Sequence, residues 1–76
     1  MSTANYTDTI VGWANYVNAN SKTPASVSMV NQLSRTFQNS RSGGASFATA
    51  GAARTFLTTA VPTGAGWSIT GDTIIA

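Results

Sequence analysis

The sequence predicts a small α+β domain, and three observations carry that prediction. Apolar residues recur at helical spacing over residues 6–17, and a second stretch with the same spacing fits a helix over 49–60. Alternating apolar and small polar residues mark a short strand near 26–29 and a β-hairpin over 66–76. With 76 residues the chain reads as a single domain, 1–76, near the lower limit at which a hydrophobic core alone gives useful stability.

Each element has a local reason. In the first helix Tyr6, Ile10, Trp13, Ala14 and Val17 share one face. Asn5 is placed to cap it, and Asp8 suits the positive end of the helix dipole in a first turn. Gly12 costs helix stability and predicts a close approach by another element. Asn18 begins a polar run that ends at Pro24, which blocks continuation.

Residues 26–37 fit two readings. Val27 and Met29 alternate with Ser26 and Ser28, a strand signal, yet Val27, Val30, Ser34 and Phe37 also fit a helical face. Residues 38–44 read as a loop on composition. In the second helix Thr49 is the cap, Ala50, Ala53, Leu57 and Ala60 form the inner face, and Pro62 and Gly64 break the chain. Gly71 and Asp72 read as the two-residue tip of a type II′ hairpin, with Trp67 and Ile69 turned to the core.

Composition bears on function by exclusion. There is no histidine, cysteine or glutamate, and the only carboxylate side chains are Asp8 and Asp72. A hydroxyl is a weak nucleophile until a base activates it, so the chain points away from catalysis, and no cofactor or metal ligand set is expected. Asp8 and Asp72 read better as a helix-start and a turn residue than as a glycosidase-like dyad.

Charged residues make up only 8% of the chain and the net charge is +2. The four basic residues are spread from Lys22 to Arg54, too thin an array to neutralise a run of phosphates, so nucleic acid is not an expected partner. No stretch reads as a membrane span or as a secretory leader. A surface covered by Ser, Thr, Asn and Gly repels its own kind weakly, which favours packing against copies of itself or a larger body.

Three blocks stand in a telling order: NYTDTIVGWA over 5–14, AARTFL over 52–57 and GWSIT over 66–70. Together they resemble the closing unit of BspA-like surface-protein repeats, relatives of the leucine-rich repeats. The resemblance covers most of the chain and favours the strand reading of 27–29. It implies a non-enzymatic module of bacterial surface proteins or phage-encoded structural proteins, used for adhesion or attachment. The repeats that ordinarily precede such a unit are absent here, and its usual T-D-G-G ending is replaced by Thr70-Gly-Asp-Thr73. These departures fit a fragment of a longer surface protein or a free-standing version. The initiating Met1 and the polar start favour a free-standing virion component.

The expected function is therefore a structural or attachment protein, with a carbohydrate-binding or adhesion module of a bacterial surface protein as the alternative. Trp13 and Trp67 can stack on sugars, but both sit on apolar faces and read as core. The expected partner-binding residues are Tyr16, which lies off the apolar stripe, and Arg35, Arg41 and Arg54. Isolated arginines more often lie over aromatic rings or bond to loop carbonyls.

Overall fold

The computed structural model describes residues 2–20, 26–28, 36–61 and 63–76. Helix α1 spans Thr3–Ala19 and helix α2 spans Ala50–Thr58; with six short strands among the described residues they make an α+β fold, as predicted. The strands are β1 (Ser26–Ser28), β2 (Thr36–Gln38), β3 (Ser42–Gly43), β4 (Phe47–Thr49), β5 (Ser68–Thr70) and β6 (Thr73–Ile75).

Helix α1 begins one turn earlier than its periodicity suggested. Ser2 is the cap, its Oγ accepting the Asn5 N–H at 3.0 Å, so Asn5 lies inside the helix and Asp8 beyond its first turn. At the far end the backbone and side-chain amides of Asn20 both donate to the Tyr16 carbonyl, so the helix outlasts the expected stop. The buried face is Tyr6, Thr7, Ile10, Val11, Ala14 and Val17. It is broader than the predicted stripe because α1 packs against both α2 and β2. Thr7 is buried without loss, since its hydroxyl accepts the Gln38 N–H of β2 at 2.9 Å.

Helix α2 is capped by Thr49 as predicted, with Oγ1 accepting the Ala52 N–H at 3.2 Å. Ala50, Ala53 and Leu57 are buried, but Ala60 lies past the helix end and is exposed. The early stop has a hydrogen-bonding cause. The chain folds back so that the N–H groups of Ala65, Gly66 and Trp67 donate to the carbonyls of Phe56, Thr59 and Leu57 at 3.0, 2.8 and 2.7 Å. Those carbonyls are the ones a helix end leaves without partners.

Among the described residues the strands form three two-stranded sheets. In the first, β1 runs parallel to β5 with Val27 opposite Ile69, and in the second β2 runs parallel to β6 with Phe37 opposite Ile74. In the third, β3 and β4 pair antiparallel across an irregularity at Ser42 and Gly43. The strand expected near 26–29 is present at 26–28, and residues 29–35 lie outside the described residues; β2 at 36–38 is a further strand that the periodicity did not single out. The expected loop over 38–44 contains the end of β2, a turn and β3.

The hairpin over 66–76 is corrected. Both its strands exist, but β5 and β6 pair with different upstream strands and not with each other. Gly71 does adopt the positive φ that the turn required, +85°. However, Asp72 is held inward by Tyr6 and Arg54 with its side chain only 4% exposed, so 71–72 is not a solvent-facing tip. The core is the cluster of Tyr6, Ile10, Val11, Ala14, Val17, Phe37, Ala50, Ala53, Leu57 and Ala65. Trp13, Trp67 and Ile69 are partly buried at its margin, where the two indoles pack on each other at 5.7 Å and 43°.

Candidate functional site

Four charged side chains fall among the described residues, and they form two bidentate ion pairs. The first is internal. Arg54 of α2 donates through Nη2 and Nε to the two oxygens of Asp72 at 2.8 and 3.1 Å, and the Tyr6 hydroxyl of α1 donates to Asp72 Oδ2 at 2.9 Å. The guanidinium lies 5.8 Å from the Phe37 ring centroid, and Tyr6 meets that ring edge-on at 6.4 Å. One aspartate thus ties the link between β5 and β6 to both helices.

Burial, then the hydrogen bond to Asp72 and its negative charge, push the Tyr6 phenol well above its ordinary value of 10.0; Arg54 opposes this. The folded state therefore holds the Tyr6 proton more tightly than the unfolded chain does. The stability this contributes is present below pH 10 and is lost as the pH rises above it. Tyr6→Phe is expected to cost about 1.5–3 kcal/mol, the worth of a hydrogen bond to a charged group. It should also flatten the alkaline decline, measured as urea midpoints from pH 8 to 11. An unchanged alkaline slope in the variant would remove Tyr6 as its source.

The second pair is at the surface. Arg41 donates from Nε and Nη2 to Asp8 at 3.0 and 2.9 Å, joining the middle of α1 to the turn before β3. Those hydrogen bonds hold the Asp8 carboxyl below the ordinary carboxylate range and raise Arg41 in turn. The pair stands at the rim of an open groove of about 490 Å³ between α1 and the β3–β4 connection. Val11 and Gly12 line it on the helix side, and Gly44 and Ala45 on the other.

Asn15 fastens the two walls together. Its Nδ2 donates to the carbonyls of Val11 at 2.8 Å and Gly43 at 2.9 Å, and its Oδ1 accepts the Ser46 N–H at 2.9 Å. The turn carrying Arg41 is held independently, since the Arg41 carbonyl accepts the Ala50 N–H at 2.7 Å. The groove is therefore built on braced backbone.

Of the four residues expected to meet a partner, the three that are described are dispersed. Tyr16 is 69% exposed, as read from the sequence. Arg41 and Arg54 belong to separate ion pairs, and Arg35 lies outside the described residues. Asp8 and Asp72 do not come together as a dyad; each is clamped by a different arginine. Asp72 is a buried anchor, and Asp8 answers Arg41 instead of a helix start. The groove escaped sequence reasoning, although Asp8, Gly12 and Asn15 at spacings of four and three already form a small and polar row on one helix face.

Among the described residues no group of three or more Asp, Glu, His or Cys could hold a metal, and no helix is long and apolar enough to cross a membrane. Comparison with protein-family models, with curated proteins and with solved structures yields no match. The likeness to the BspA-like closing unit thus rests on its three ordered blocks. The first falls within α1, the second within α2, and the third runs from Gly66 into β5.

Proposed function

We propose that this chain is a non-enzymatic structural or attachment module that works by packing against copies of itself or a larger assembly. The observation that carries this reading is an apolar strand edge on a chain whose described charges are all paired. Ile74 and Ile75 of β6 are 47% and 44% exposed, and among the described residues no strand pairs with the edge of β6 turned away from β2. All four charged side chains described are neutralised in pairs, and the whole chain carries a net charge of only +2, so little electrostatic repulsion opposes a second copy. The commitment of both aspartates to arginines supports a role without acid–base turnover. The sequence blocks fit phage-encoded structural proteins and bacterial surface proteins alike; a phage particle is the setting proposed, with a bacterial surface protein as the alternative.

Light scattering coupled to size exclusion at micromolar concentration tests the reading. The expected mass exceeds the 7.8 kDa of one chain and grows with concentration. Replacing Ile74 and Ile75 together by Lys is expected to return a folded monomer, since charges on an open edge block pairing. A wild-type chain that stays a dispersed monomer throughout would overturn self-association.

A further inference from the structure

We propose that the groove between α1 and the β3–β4 connection is a binding site for a neutral sugar. The first ground is Gly12. Glycine in the middle of a helix is unfavourable, and nothing in the described fold requires it here. The residue is exposed, and a Cβ built on it meets nothing within 4 Å. The approach that its presence predicts is not made by any other described element. The space it leaves opens into the groove, where a ligand can lie against the helix backbone.

The second ground is the chemistry of the walls. Val11, Gly12, Gly44 and Ala45 give a mostly apolar lining of small side chains that suits the C–H face of a pyranose. The Asp8–Arg41 pair at the rim is neutral overall and joined by two hydrogen bonds. Each oxygen of Asp8 accepts one hydrogen bond from Arg41, leaving further lone pairs, and Arg41 uses two of its five N–H donors on Asp8. With side-chain exposures of 55% and 36%, the two present that spare capacity to solvent. Adjacent acceptors and donors without net charge match vicinal hydroxyls and disfavour an anion. Tyr16 lies one turn beyond Gly12 along the same row of the helix and supplies an exposed aromatic ring. The volume of about 490 Å³ falls within the roughly 300–1,000 Å³ range of small-ligand sites.

This inference is independent of self-association, and one titration separates them. Amide shifts of the isotopically labelled chain are followed as neutral gluco-, galacto-, manno- and N-acetylglucosamine trisaccharides are added to millimolar concentration. At least one is expected to shift Gly12 and residues 41–45 saturably. Gly12→Leu fills the groove with a good helix former, so it should raise the melting temperature while reducing that affinity at least tenfold. Tyr16→Ala should weaken binding several-fold with an unchanged melt. No shift with any sugar, or equal binding by Gly12→Leu, overturns the proposal. So do shifts of these amides on protein dilution alone, which would assign the groove to self-contact. A dilution series unchanged at β6 bears only on the assembly reading and leaves a positive sugar titration standing.

Discussion

Asp72→Ala is expected to leave the isolated chain largely unfolded at 37 °C. The substitution removes the acceptor for Arg54 and Tyr6 at a position where the aspartate side chain is 4% exposed and the arginine 15%. Breaking a buried pair by deleting one partner costs about 3–5 kcal/mol, chiefly because the remaining charge stays buried without an answer. A domain of this size without disulfide or metal holds about the same in total. An unanswered buried charge also calls for a rescue. Arg54→Met in the same chain should restore part of the loss, because a neutral apolar side chain over Phe37 has no unanswered charge. Denaturant melts of the two singles and the double form the test. A double variant as damaged as the sum of the singles would place the effect in packing alone.

Phe37→Ala is expected to be of equal severity. Phe37 is fully buried, meets Tyr6 edge-on and lies under the Arg54 guanidinium. Removing a buried phenylalanine costs about 3–5 kcal/mol in lost transfer energy and cavity formation. Here it also takes away the surface on which the Tyr6–Asp72–Arg54 group rests. Circular dichroism should show loss of the cooperative melt. A cooperative transition within a few degrees of wild type would mean that the core closes over the gap. Trp13 and Trp67, read from the sequence as core, have a weaker claim to this role because both remain partly exposed.

What was legible in the sequence was local. The helical rows, the Thr49 cap, the alternation at Ser26–Ser28 and the positive φ at Gly71 each follow from a few neighbouring residues, and each is present. What escaped depends on residues far apart. Asp8 and Arg41 are 33 positions apart and Tyr6 and Asp72 are 66 apart, so neither partner carries a nearby sign of the other. The hairpin reading failed for the same reason. Alternation on both sides of a glycine turn is the ordinary mark of two strands that pair, but here each takes a distant upstream partner instead. The groove was half legible: Gly12 stood out as costly, but its open side became visible only once both walls were placed.

The separate destinations of β5 and β6 also set the order in which the protein can be made. Each adds in parallel to a strand about forty residues earlier, and such distant pairings are slow because a long loop must close before any contact repays it. Helix α1 and the stretch from β3 through α2 can form from near neighbours while the chain is still emerging from the ribosome. Two of the three sheets wait for residues 68–75, and with them the seat of Asp72. Until that segment arrives, Arg54 and Tyr6 have no common acceptor. The newborn chain is then a set of assembled pieces without a clasp, and its last-made strands are the step that commits it.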